Sequence, residues 1–122
     1  MKILLVEDNV LNQKIVVFNL SKLGYNITTV TNGRDAIKEV KTHTFDLVLM
    51  DLMLPGMNGY EITKEIRKHE QNNKKDNSVP VIAITANTLD NDQDKCIKAG
   101  MNDYLPKPFT TDQLIEKIQQ FI

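Results

Sequence analysis

The sequence predicts a doubly wound α/β domain, a parallel sheet with helices on both faces. Two observations carry that prediction. Short apolar runs alternate with amphipathic stretches five times along 122 residues, and strict β–α alternation calls for parallel strands joined by crossover helices. The run DLVLM at 46–50 is apolar on both parities, as a central strand covered on both faces must be.

Each element has its own local warrant. KILLV (2–6) is the first strand. In VLNQKIVVFNLSKL (10–23), Leu11, Ile15 and Phe18 recur at helical spacing as the packed face, and Gly24 is the stop. NITTV (26–30) is a second strand, polar enough for a sheet edge. GRDAIKEVK (33–41) is a helix capped by Asn32, followed by the strand at 46–50. Asn58 and Glu61 form a cap pair for a helix from Gly59 to His69, and Gly56 and Gly59 serve turn geometry. HEQNNKKDNS (69–78) reads as a solvated loop on the rim opposite the strand ends. VPVIAIT (79–85) is the fourth strand, its proline near the start. The helix at 89–100 ends at Gly100 and turns Cys96 inward; MNDYL (101–105) is the fifth strand. Thr110 and Gln113 make a capping box for the last helix, with Leu114, Ile115, Ile118, Phe121 and Ile122 as its buried stripe.

The totals fit one soluble domain over 1–122: 41% of residues are hydrophobic and 25% charged. A net charge of −1 lacks the basic excess of a nucleic-acid binder. The single cysteine allows no internal disulfide, which fits a reducing, cytoplasmic setting. The N-terminal apolar run ILLV is too short for a signal peptide or a membrane span, so no membrane contact is expected of this domain.

In a parallel sheet of right-handed crossovers, all strand C-termini share one rim, where ligands bind. The residues there are Glu7 and Asp8 after strand one, Asp51 after strand three, Thr85 then Ala86 after strand four, and Lys107 with Pro108 after strand five. Three close carboxylates repel one another. A hard divalent cation resolves the conflict, and oxygen donors without histidine or cysteine favour Mg²⁺ over zinc. An ammonium and a hydroxyl, Lys107 and Thr85, suit a phosphoryl group, and aspartate can form an aspartyl phosphate. Asp51 is therefore the candidate nucleophile.

At these residues the chain resembles the receiver domain of two-component response regulators. The matching pieces are LLVEDN (4–9), DLVLMDLMLPGMNGYE (46–61), VIAITAN (81–87) and AGMNDYLPKPF (99–109), and the likeness covers the whole chain. It implies a (βα)5 flavodoxin-like fold with strand order 2-1-3-4-5. It implies that Asp51 accepts a phosphoryl group from a phosphohistidine on a histidine kinase or histidine phosphotransfer domain. Asp8, Asp51 and the Met53 backbone carbonyl would bind Mg²⁺, with Glu7 acting through water. Lys107 would contact the phosphoryl group across a cis Lys107–Pro108 bond. Thr85 would swing toward that group and Tyr104 would turn inward behind it, altering the face of helix four, strand five and helix five. Met53 and Asn87 would tune the lifetime of the phosphate.

VEDNVLNQ and TANTLDNDQDKCIKAGMNDYLPKPF look most like receivers of hybrid sensor kinases, whereas DLMLPGMNG looks like those of transcriptional regulators. A parent kinase and a stand-alone regulator both stay open, as does a downstream protein effector. The expected protein is a monomeric switch, not an enzyme beyond its own phosphorylation and dephosphorylation. The alternatives are a Mg²⁺-dependent phosphohydrolase, which would place its nucleophile on strand one and carry a cap insertion, and a receiver that works without phosphorylation. Helix one is expected to dock the phosphodonor, with polar Asn12 as the position to test it. Singly, each residue has a plainer reading: Asp51 as a cap, Thr85 as a β-branched strand residue, Tyr104 as a strand aromatic, and His43 and His69 as surface groups. Only convergence with Glu7, Asp8 and Lys107 at the rim promotes Asp51 and Thr85.

Overall fold

The computed structural model describes residues 1–54, 56–72, 78–85 and 90–122, with side chains for all of these except 90–93. The predicted helix start at Leu89, the residues Ala86 and Asn87, and positions 73–77 of the polar stretch lie outside the described residues.

Five strands, β1 (Lys2–Val6), β2 (Asn26–Val30), β3 (Leu47–Asp51), β4 (Val81–Thr85) and β5 (Asp103–Pro106), form a sheet of order β2-β1-β3-β4-β5. Every pairing is parallel. The helices are α1 (Val10–Ser21), α2 (Gly33–Thr42), α3 (Gly59–Asn72), α4 (Asp90–Ala99) and α5 (Thr111–Gln119). The doubly wound fold is the one predicted, and the polar β2 is an edge strand.

Strand parity divides the core into two layers. Leu4, Val6, Val48 and Met50 face Ala36, Val40, Ile62, Ile66 and Cys96 of α2, α3 and α4. Ile3, Leu5, Leu47 and Leu49 face Val16, Leu20, Leu114 and Ile118 of α1 and α5. All four described positions of β3 before Asp51 are fully buried, which accounts for its unbroken apolar run. Each such aliphatic side chain contributes roughly 1.5–3 kcal/mol through burial.

Local signals set the helix starts. Asn32 Oδ1 accepts the Asp35 amide at 2.9 Å, and Asn58 Oδ1 accepts the Glu61 amide at 3.0 Å. Thr110 and Gln113 form the reciprocal capping box, at 2.9 and 3.1 Å. Gly24 and Gly100 follow their helices in the left-handed region.

Four sequence expectations need correction. On α1 the packed residues are Val16 and Leu20, whereas Leu11, Ile15 and Phe18 are 66, 52 and 63% exposed. The helix is apolar nearly all round, so spacing could not choose its inner face. On α5, Leu114 and Ile118 are buried and Ile115 and Phe121 partly so, but Ile122 lies beyond the helix and is exposed. Helix α3 continues to Asn72, into the stretch read as loop, and Glu70 there is buried. Its carboxylate accepts Arg67 Nη1 at 2.8 Å and the Val79 amide at 2.7 Å, satisfying a charge that burial would otherwise penalise. Finally, Gly56 does serve a turn at φ +82°, but Gly59 serves close approach: a Cβ there would lie 2.9 Å from the Asp51 carbonyl oxygen.

Candidate functional site

The strand order reverses between β1 and β3: β2 lies to one side of β1, and β3, β4 and β5 to the other. A crevice opens at that point above the strand C-termini. Glu7 and Asp8 follow β1 into it, and Asp51 is the last residue of β3. One oxygen from each of the three carboxylates lies within 4.8 Å of the others, the only such group of three or more potential metal ligands among the described residues. Glu7 and Asp51 are 3 and 4% exposed, whereas Asp8 is open to solvent.

Two more strands bring the counter-charge. Thr85, buried at the end of β4, accepts the Lys107 amide on its carbonyl oxygen at 2.7 Å. The Lys107–Pro108 peptide is cis. Lys107 Nζ reaches back over the crevice to 3.5 Å from Asp51 Oδ2 and 3.6 Å from Glu7 Oε2. Asp51 Oδ1 accepts the Met53 amide at 3.0 Å, so the two Asp51 oxygens face different partners. Met53 itself is an exposed side chain. Tyr104, half-buried one strand away, packs against the layer under α2, α3 and α4 and pairs in register with Ala83.

Burial pushes the Glu7 carboxyl above the ordinary glutamate value, reinforced by its hydrogen bond to Asp51 and that residue's negative charge; Asn12 and Lys107 oppose the rise. The native state then holds its proton to higher pH than the unfolded chain does. Stability of the metal-free protein therefore falls as pH rises from 4.5 through the folded pKa of Glu7, and levels off above it. Thermal unfolding across that window is expected to show this fall in the wild type and to lose it in Glu7→Gln. Equal pH profiles for the two proteins would contradict the assignment.

The donor set is all oxygen and carries three carboxylates against one half-buried ammonium, which fits a hard divalent cation. Two residues reach the crevice unexpectedly: Gln13, and Asn12, which the sequence marked only as a position on the docking helix. Asn12 Nδ2 donates to Glu7 Oε1 at 3.2 Å, and Gln13 Nε2 donates to the Glu7 carbonyl at 2.6 Å and the Val30 carbonyl at 3.3 Å. The available signal was the cap: Asn9 Oδ1 accepts the Asn12 amide at 3.0 Å, and side chains of a first helical turn lean back toward the chain entering it. Asn12 is consequently a poor probe of docking alone. His43 and His69 sit at the ends of α2 and α3, away from the crevice. No described helix is long and apolar enough to cross a membrane.

The family model described as the response regulator receiver domain matches residues 3–119. Hybrid signal transduction histidine kinase B of Dictyostelium discoideum is 43% identical over 129 residues, covering 99% of this chain but 7% of the kinase. Among solved structures, the receiver domain of sensor histidine kinase PA1611 from Pseudomonas aeruginosa, with a magnesium ion coordinated in its active site cleft, is 43% identical. It has a TM-score of 0.85 and covers 98% of this chain and 95% of that one. The receiver domain of the Saccharomyces cerevisiae response regulator Ssk1, co-crystallised with the histidine phosphotransfer signalling protein Ypd1, is 36% identical, with a TM-score of 0.91 and coverage of 99 and 88%. With sheet order, rim chemistry and sequence match all agreeing over almost the full length, this chain belongs to the response regulator receiver domains, the phosphorelay switches of two-component signalling.

Proposed function

We propose that Asp51 accepts a phosphoryl group from a phosphohistidine on a histidine kinase or histidine phosphotransfer domain, on the cytoplasmic side of the membrane. The observation that carries this reading is the approach of Lys107 Nζ to 3.5 Å from Asp51 Oδ2, at a rim where three carboxylates meet. An Asp51 oxygen attacks the phosphorus in line. The N–P bond breaks, its electron pair stays on the imidazole nitrogen, and that nitrogen takes up a proton. Mg²⁺ held by Asp8, Asp51 and the Met53 carbonyl, with Glu7 reached through water, would supply positive charge to the phosphoryl oxygens. Lys107 adds a second positive contact, directed before the reaction begins. Water attacking the same phosphorus later breaks the Asp51 O–P bond, releases inorganic phosphate and regenerates the carboxylate, so the chemistry is self-directed.

In the phosphorylated state Thr85 turns its hydroxyl toward the new oxygens and Tyr104 moves inward. That shift resets the face of α4, β5 and α5 for an effector or parent kinase. The donor docks on α1. Leu11, Ile15 and Phe18 form an exposed apolar strip beginning beside the crevice, with Lys22 Nζ 4.0 Å from the centre of the Phe18 ring. Lys14 and Lys22 are its only charges, so the fitting partner is a helix with apolar contacts and acidic flanks.

Because Leu11 is exposed, Leu11→Asp is expected to fold normally. It should slow transfer from a phosphohistidine donor roughly tenfold or more, as loss of an apolar anchor does, and leave uptake from a small phosphodonor unchanged. Stopped transfer assays with both donors read this directly. Equal slowing with both would place the defect in the crevice and refute docking on α1.

A further inference from the structure

We infer that Asn12 is a positioning residue for the acidic crevice, holding Glu7 in the orientation in which it supports a divalent cation. The inference rests on the proposed function and extends it to a residue outside the predicted set. Glu7 is almost fully buried, and its two oxygens face opposite ways. Oε2 looks toward Lys107 at 3.6 Å, while Oε1 accepts Asn12 Nδ2 at 3.2 Å and the Asn9 amide at 3.3 Å. The contact from Asn12 comes from the same helical turn whose cap is Asn9.

The main chain below is fixed separately. Gln13 Nε2 spans the Glu7 and Val30 carbonyls, and the Glu7 amide donates to the Val30 carbonyl at 3.0 Å. Backbone position is thus set by Gln13 and the strand, and carboxylate rotation by Asn12 together with the Asn9 amide and Lys107. Removing Asn12 leaves Glu7 in place but loosens its terminal rotation, which the Asn9 amide and Lys107 then restrain alone, and strips a side-chain donor from a buried carboxylate. Residues that orient an ion's ligands commonly change affinity tenfold or more when replaced.

The division of labour has a direct test. Mg²⁺ alone is titrated into the full chain, and affinity is read from backbone amide NMR shifts of Glu7, Asp8 and Met53. The same spectra report whether each variant is folded. Asn12→Ala is expected to weaken Mg²⁺ binding about tenfold. In a Glu7→Ala background the same substitution is expected to have no further effect, since the side chain it orients is gone. A merely structural role for Asn12 would give an equal loss in both backgrounds, which overturns the inference. Wild-type affinity in Asn12→Ala overturns it too, while leaving the proposed function standing. If the wild type takes up no Mg²⁺, both fall together.

Discussion

Asp51→Asn is expected to take up no phosphoryl group from either a phosphohistidine or a small phosphodonor, and to be more stable than the wild type without divalent cations. The first effect follows from chemistry: a neutral carboxamide oxygen is a poor nucleophile toward phosphorus, and among the described residues Lys107 has no second carboxylate within comparable reach except Glu7. The second follows from electrostatics. Asp51 and Glu7 are both buried, hydrogen-bonded and alike in charge, sharing one ammonium that is itself partly exposed. Removing one charge leaves Glu7 and Lys107 as a neutral pair. The gain should be on the order of 1 kcal/mol, the scale of stability that functional sites commonly forgo. Intact mass reads the first effect and denaturant unfolding the second. Phosphoryl uptake by Asp51→Asn would move the acceptor elsewhere.

Lys107→Ala should fold and bind divalent cations, yet take up phosphoryl groups about 10²–10³-fold more slowly, the loss seen when a preorganised charge contact is removed. Two features make this large. The ammonium is already within 3.5 Å of Asp51 Oδ2, so little rearrangement is needed during transfer. Its backbone is tied to the end of β4 by the Thr85 carbonyl at 2.7 Å, which holds the ammonium over the crevice. Slowing is expected with every donor, in contrast to Leu11→Asp. Uptake from a small phosphodonor at the wild-type rate would show that Lys107 serves only as counter-charge to the resting carboxylates.

Sequence patterning specifies some of these features and leaves others to packing. Strand β3 was legible because it is buried on both faces, and α5 because a capping box announces its start. Convergence of Glu7, Asp8, Asp51, Thr85 and Lys107 on one rim followed from parallel strands alone. The inner face of α1 did not follow, since Val16 and Leu20 are no more apolar than Ile15 and Phe18; only packing against Ile3, Leu5 and α5 decides between them. Nor did the contrast between buried Glu7 and exposed Asp8, adjacent acids whose carboxylates nonetheless converge to within 4.8 Å. The Asn12 contact stayed hidden because it depends on the angle at which α1 leaves β1. Glu70 was misread because a carboxylate in a polar stretch looks solvated until Arg67 and the Val79 amide are seen beside it.

The most direct measurement is to incubate the wild-type chain with a small phosphodonor, with and without Mg²⁺, and locate any added phosphoryl group by peptide mass spectrometry. One group on the peptide containing Asp51, formed only with Mg²⁺ present, is the expected result. No added mass, or a phosphoryl group on any other residue, would contradict the assignment of Asp51 as acceptor.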